Sequence, residues 1–286
     1  MKKLIPIIVI LLWGSATVLS ALSLQEIGPM AVAFWRWAWA LPILWAILLL
    51  SKKEMTVFSA LRDNLLAIIT ISISGIVALY GLQNLALGRT SVFNVSLLIE
   101  LTPAFIALLG IPVLHEYPQL RTWIGIVLGF AGAVLLGMNA MPTARIHGSN
   151  TTIGDALALG AALSGALYTV QGKHLMQKMS PLTLVTLSST AGVLMLLPFG
   201  LREEHFFPQS LTVWSYLIIL GVGAGALGNL WWFSALQSRP AAQLGIILFI
   251  TALVAAGLAV AILGDPLTPW LLAGGALVLL GARLAK

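Results

Sequence analysis

Apolar runs of roughly twenty residues alternate with short polar breaks along the whole chain, at about 4–24, 29–50, 65–87, 91–114, 119–138, 154–174, 181–201, 211–236, 241–263 and 268–285. Each run is close to the length an α-helix needs to cross the roughly 30 Å hydrocarbon layer of a bilayer. Backbone polar groups in lipid must be satisfied within the segment, so runs of this length predict helices, not strands. The pattern predicts an all-α integral membrane protein of ten transmembrane helices. Pro29, Ser91 and Pro181 each open a run, and 51–64 reads as a polar loop.

The second half of the chain repeats the first. A shift of 149 positions lays Ala86-Leu87 on Ala235-Leu236, Glu116 on Asp265, Gly125 on Gly274 and Gly132 on Gly281 without a gap. The most polar stretch, 139–153, falls between the halves and predicts a periplasmic linker joining a first repeat (1–138) to a second (154–286). A cleaved leader at 1–24 is the competing reading of the N-terminus. It would remove an element that has a counterpart in the second half.

Composition changes the solvent. Hydrophobic residues make up 59% of the chain and charged residues 8%, against about 25% charge in a soluble domain. The mean hydropathy is +1.02. The net charge of +6 is spread through the breaks with no basic run, so it marks membrane sidedness and not a nucleic-acid partner. With the N-terminus inside, eleven Lys and Arg fall in inside segments and three outside, with Arg36 inside a helix. Both termini are therefore expected in the cytoplasm, as in a multi-pass protein of the bacterial inner membrane. Five helices per half is odd, so the second half would enter the membrane inverted, which is the architecture of secondary transporters.

The ordered features resemble the drug/metabolite transporter superfamily in its ten-helix EamA-type branch. In the first half these are Leu12-Trp13-Gly14-Ser15, Pro29 with Arg36, Ala86, Thr102-Pro103, His115-Glu116, and Gly125, Gly129 and Gly132. In the second they are Gly154, the run from Ser164 to Val170, Pro181, Gly264-Asp265, Gly274 and Gly281. The chain departs from that pattern at Thr251-Ala252, where the family carries a proline, and at Asp265, where it carries Glu. The resemblance implies alternating-access transport of small metabolites, amino acids or drugs, with no cofactor and no ATP hydrolysis. Its implied partners are a small-molecule substrate and the lipid bilayer.

Ionisable and polar residues inside the runs supply the candidate chemistry. Glu100 lies nine residues past Ser91, about 14 Å into the bilayer, where a charge costs about 2.5–3.5 kcal/mol on insertion scales. Arg36 lies seven residues past Pro29, at about 10 Å. Two roles stand open for Glu100: lining a central cavity, where it binds a cationic group or a proton, or forming a buried ion pair with Arg36. Ser96 shares its face at one turn's spacing. Ser164, Tyr168 and Gln171 fall on one face of the sixth run. Tyr80, Gln83 and Asn84 form a polar patch on the third, with Asn229 and Trp232 on the eighth and Trp13 on the first. Together these predict a polar and aromatic substrate lining.

Glu116 and Asp265 are read as turn residues that stabilise a helix N-terminus. The glycines are read as helix contacts, compatible with a monomer or a weak dimer. An integral-membrane enzyme or a scaffold is the alternative to transport. No nucleophile–base set, metal motif or phosphate loop supports the enzyme.

Overall fold

In the computed structural model, residues 5–51, 54–140, 151–258, 260 and 267–284 are described. Eleven helices follow in order: α1 (Ile5–Ser23), α2 (Pro29–Leu50), α3 (Glu54–Asp63), α4 (Leu65–Leu87), α5 (Val92–Leu114), α6 (Leu120–Ala140), α7 (Thr151–Leu175), α8 (Pro181–Gly200), α9 (Leu211–Leu236), α10 (Ala241–Leu258) and α11 (Pro269–Leu284). Among the described residues, seven of these (α2 and α4 to α9) are long and apolar enough to cross a membrane, and three shorter apolar stretches lie in α1, α10 and α11. Asp265 and most of the linker 139–153 lie outside the described residues.

The starts follow from the punctuation. Pro29 and Pro181 take the first helical position, where a missing N–H costs nothing. The hydroxyls of Ser91, Ser180 and Ser210 accept from the backbone N–H three residues on.

One expectation is corrected. The stretch read as a loop at 51–64 contains α3, whose Val57, Ala60 and Leu61 pack on the main core while Phe58 stands exposed. Its polar residues hid a one-sided apolar pattern that suits a helix lying along a membrane surface.

Four helices are interrupted. α4 widens into a π-turn at Ile73–Ala78, and α9 does so at Ile219–Leu227. Under the 149-residue shift the first falls on 222–227, within the second. α5 breaks around Glu100 and Leu101, because Pro103 has no N–H to offer the carbonyl of Ile99. The Thr102 hydroxyl takes that carbonyl at 2.6 Å. α10 narrows to a 3₁₀ turn at Ile246–Leu248, where the Thr251 hydroxyl bonds the carbonyl of Leu248 at 2.6 Å. Thr251 is the position that the shift lays on Thr102.

Two hydrophobic clusters hold most of the buried side chains. The main core joins α2, α4, α7, α8 and α9, with Trp37, Phe233, Leu44 and Leu48 fully buried, and takes in Ile106 of α5 and Ala241 and Leu244 of α10. A second core joins α5, α6, α10 and α11 around Ile126, Leu136, Phe249 and Val278. α6 and α11 cross there on glycines. A Cβ on Gly132 would lie 2.7 Å from the carbonyl oxygen of Gly274, and one on Gly274 would lie 2.8 Å from that of Gly132. A Cβ on Gly281 would lie 2.6 Å from the carbonyl oxygen of Gly125. Gly125 and Gly132 correspond to Gly274 and Gly281, so each first-half glycine meets the counterpart of the other. The order of these contacts shows the two helices running antiparallel.

Candidate functional site

The polar residues singled out in the runs gather into three places. The first surrounds Tyr80 on α4, just past its π-turn. The guanidinium carbon of Arg36 lies 4.2 Å from the centre of the Tyr80 ring, and the Trp37 ring lies 5.4 Å from it. Arg36 is 3% exposed. Tyr168 of α7 is buried in the same core and meets Phe233 edge to face at 5.0 Å. Its ring occupies the space a side chain at Gly75 would fill, so the π-turn of α4 and the glycine in it admit Tyr168. Nearby, Ser74 donates to Oε1 of Gln171 at 3.0 Å.

The second place is on α1 and α9. Trp13 donates its indole N–H to the carbonyl of Ala224 at 2.9 Å. Asn229 donates to the same carbonyl at 3.1 Å and to that of Gly225 at 2.9 Å. The wide turn of α9 sends the Gly228 N–H to the carbonyls of Gly223 and Gly225, which leaves that of Ala224 to the two side chains. The rings of Trp13 and Trp232 lie 5.4 Å apart. Gln83 and Asn84 serve as links: Gln83 reaches Thr17 at 3.4 Å, and Asn84 bonds the Pro29 carbonyl at 3.0 Å. Ser164 is buried on α7.

The third place holds Glu100. Its carboxylate faces a crevice of about 300 Å³ lined by Leu101, Ala104, Ile126, Val127, Phe130 and Phe249. The Thr251 hydroxyl lies 3.4 Å from its Oε1. Ser96 stands one turn back, its carbonyl accepting the Glu100 N–H at 3.3 Å. Of the two roles left open for Glu100, the ion pair with Arg36 is not formed; among the described residues the ion pairs are Arg62–Asp63 and Lys173–Glu116. Equal depth had suggested the pair. Depth leaves the direction of each side chain around its helix open, and the two point toward different clusters.

Both ends of the bundle are tied by carboxylates. At one end Glu203 accepts from the N–H of Met30 and Ala31, at 2.9 and 2.8 Å, and so caps α2. Glu26 accepts from the N–H of Gln209 and Ser210, both at 3.0 Å, and from the Ser210 hydroxyl, and so caps α9. The Ser210 hydroxyl, the Ser210 N–H and the Gln209 N–H hold the Glu26 carboxyl below its ordinary value. The loop before α2 thus holds α9, and the loop before α9 holds α2. Asp155 of α7 accepts from Thr90 and Asn94 at 2.8 and 3.1 Å at the same end.

At the other end Glu116 accepts from the N–H of Ala241 at 2.7 Å, capping α10, and pairs with Lys173 at 2.6 Å. Lys173 also donates to the carbonyl of Arg239. His115 adopts a left-handed conformation (φ 56) that ends α5 and turns Glu116 toward α10. Lys173, Trp37, Ser74 and Thr251 were not among the residues the sequence singled out as site members. Thr251 was within reach of the 149-residue shift, as the counterpart of Thr102.

The EamA-like transporter family model matches the chain twice, over residues 3–138 and 152–285. An uncharacterized transporter of Archaeoglobus fulgidus is 28% identical over 279 residues, covering 96% of this chain and 93% of the relative. The uncharacterized transporter YyaM of Bacillus subtilis is 25% identical over 282 residues, covering 96% and 89%. A solved crystal structure superposes with a TM-score of 0.81 at 19% identity, covering 99% of this chain and 96% of the other; that likeness concerns the fold.

Proposed function

The chain belongs to the EamA-like transporter family, and from that premise we propose that it is a secondary transporter moving small organic solutes across the bacterial inner membrane by alternating access, in the direction of export. The solute class is amino acids, related amphiphilic metabolites or drugs. In this reading all ten apolar helices cross the membrane, α3 lies on its inner surface, and residues 1–138 and 154–286 form two halves of opposite orientation. The excess of Lys and Arg in the inside segments supports cytoplasmic termini in this reading. The solute site lies between the halves around Trp13, Tyr80, Tyr168 and Trp232, with Ser164, Gln171, Gln83, Asn84 and Asn229 as its polar rim and Ser96 beside Glu100.

One observation carries this reading: the exchanged contacts between Gly125 and Gly281 and between Gly132 and Gly274. Two halves related in this way can swap conformations, so a site between them opens to one side and then to the other. Glu100, an acid inside a span whose helix is broken beside it, is the residue proposed to couple transport to protons.

The test is flux in proteoliposomes under an imposed pH gradient, with amino acids, nucleosides, sugars, polyamines and cationic dyes as solutes. Wild type is expected to move at least one class in a gradient-dependent way, and Glu100→Gln to fold but lose that dependence. Gradient-independent flux in wild type would remove the coupling role and leave Glu100 a substrate or structural residue. No flux of any class above protein-free vesicles would overturn the transport reading.

A further inference from the structure

Arg36 lacks a counter-ion. Its side chain lies well inside α2, 3% exposed, and its Nε has no hydrogen-bond partner. The Tyr80 ring covers one face of the guanidinium. The Tyr80 hydroxyl also lies close enough to accept from the guanidinium, but a ring face and a neutral phenol attract a cation without cancelling its charge.

The protein's own acids are committed elsewhere. The chain has nine Asp and Glu. Glu26, Glu203 and Glu116 cap helices, and Asp155 holds Thr90 and Asn94. Asp63 pairs with Arg62, and Glu100 faces Thr251. Glu54 and Glu204 lie in segments outside the apolar runs, and Asp265 is outside the described residues. Among the described residues, no acid comes within ion-pair distance of Arg36.

Two further donors in the same core are unpartnered, the indole N–H of Trp37 and the hydroxyl of Tyr168. A buried guanidinium without an anion is costly in a membrane interior. Three unsatisfied donor groups in one aromatic core share a need for the same kind of ligand, an acceptor carrying negative charge.

We propose that Arg36 is the carboxylate-binding residue of the solute site, and that the transported solute carries a single carboxylate which serves as the counter-ion of Arg36, with Trp37, Tyr80 and Tyr168 around it. The proposal rests on the transport reading above and narrows its substrate class. The planar fork of Arg fits a carboxylate with two parallel hydrogen bonds. A monoanion is favoured over a phosphate monoester by charge. Among the described residues Arg36 is the one Lys or Arg lying away from a helix end inside an apolar run, so the core offers one positive charge and not two. The aromatic rings supply apolar faces for the rest of an amphiphilic solute.

The experiment measures thermal shift and proteoliposome flux of the full-length protein against L-amino acids, each tested beside its decarboxylated amine and its deaminated acid, with inorganic phosphate as a further probe. Probes that bind the folded state raise the melting temperature by mass action. Carboxylate-bearing probes are expected to stabilise wild type and to be moved by it, and their amines not. Arg36→Gln is expected to bind those probes about tenfold to a hundredfold more weakly. Without ligand it should melt at or above the wild-type temperature, because it removes an unpaired buried charge. Arg36→Lys should keep the fold and the charge without restoring the affinity.

Equal responses to acids and their amines, a response to phosphate alone, or undiminished carboxylate binding in Arg36→Gln would each overturn the proposal. Flux of amines or dyes that is insensitive to Arg36→Gln would overturn it while leaving transport standing. Failure of every probe to move in wild type would overturn both.

Discussion

Gly132 and Gly274 touch backbone to backbone: a Cβ on either would lie within 2.8 Å of the other's carbonyl oxygen. Two antiparallel helices can approach this closely only where neither carries a side chain, and dispersion between their backbones then replaces lipid contact. Alanine at either position is expected to destabilise the detergent-solubilised protein by about 1–3 kcal/mol through overpacking. Gly110 has nothing within 4 Å of its would-be Cβ, so Gly110→Ala should be neutral or slightly stabilising through helix propensity. Thermal melts of the three variants check this, and equal effects at all three positions would show that the close contact is unimportant.

The break in α5 makes a paired prediction. Pro103 leaves the carbonyl of Ile99 without its backbone donor, and the Thr102 hydroxyl supplies the bond at 2.6 Å. Thr102→Val alone should cost about 1–3 kcal/mol, the penalty of an unsatisfied buried carbonyl. In a Pro103→Ala background the new N–H can take that carbonyl, so the same change should cost much less. A double-mutant cycle on thermal stability measures the difference. Additive costs would mean the hydroxyl is not the stand-in for the missing donor.

Glu26 sets an acid limit on one end of the bundle. Its carboxyl lies below the ordinary value of 4.5 chiefly because of the Ser210 hydroxyl, then the Ser210 and Gln209 N–H groups. A group whose folded value is depressed contributes stability that is present above its unfolded value and is lost as pH falls through the folded one. Wild type should therefore melt above Glu26→Gln at neutral pH, by an amount constant from about pH 6 to about pH 8. The gap should close below pH 4.5. A gap that persists in acid would assign the effect to something other than this carboxylate.

Much of the fold was legible before the structure. Run length and apolar content predicted the helices, and the runs that open at Pro29 and Pro181 start with a residue that suits a helix N-terminus. The 149-residue shift held the glycines that later proved to be in contact. What stayed hidden was direction and local winding. Nothing in ISGIVA or ILGVGAGAL announces a π-turn, since small and apolar residues suit an α-helix as well. The depths of Arg36 and Glu100 were readable, but a helix places residues of equal depth anywhere around its axis, and here they point toward different clusters. The Lys173–Glu116 pair was not readable because the turn at His115 that brings the two together depends on a backbone conformation that few non-glycine residues adopt.

The most direct test of alternating halves uses two reporters that are 0% exposed, Ala31 beside Glu203 and Ala241 beside Glu116. The chain has no cysteine, so Ala31→Cys and Ala241→Cys each give a single thiol for labelling at neutral pH. Lys173→Ala breaks the tie at the Ala241 end and is expected to speed labelling at Ala241→Cys while slowing it at Ala31→Cys. Glu203→Gln should do the reverse. Opposed changes at the two ends are what a protein that opens to one side at a time must show. Labelling that rises at both ends together, or changes at the mutated end alone, would contradict that account.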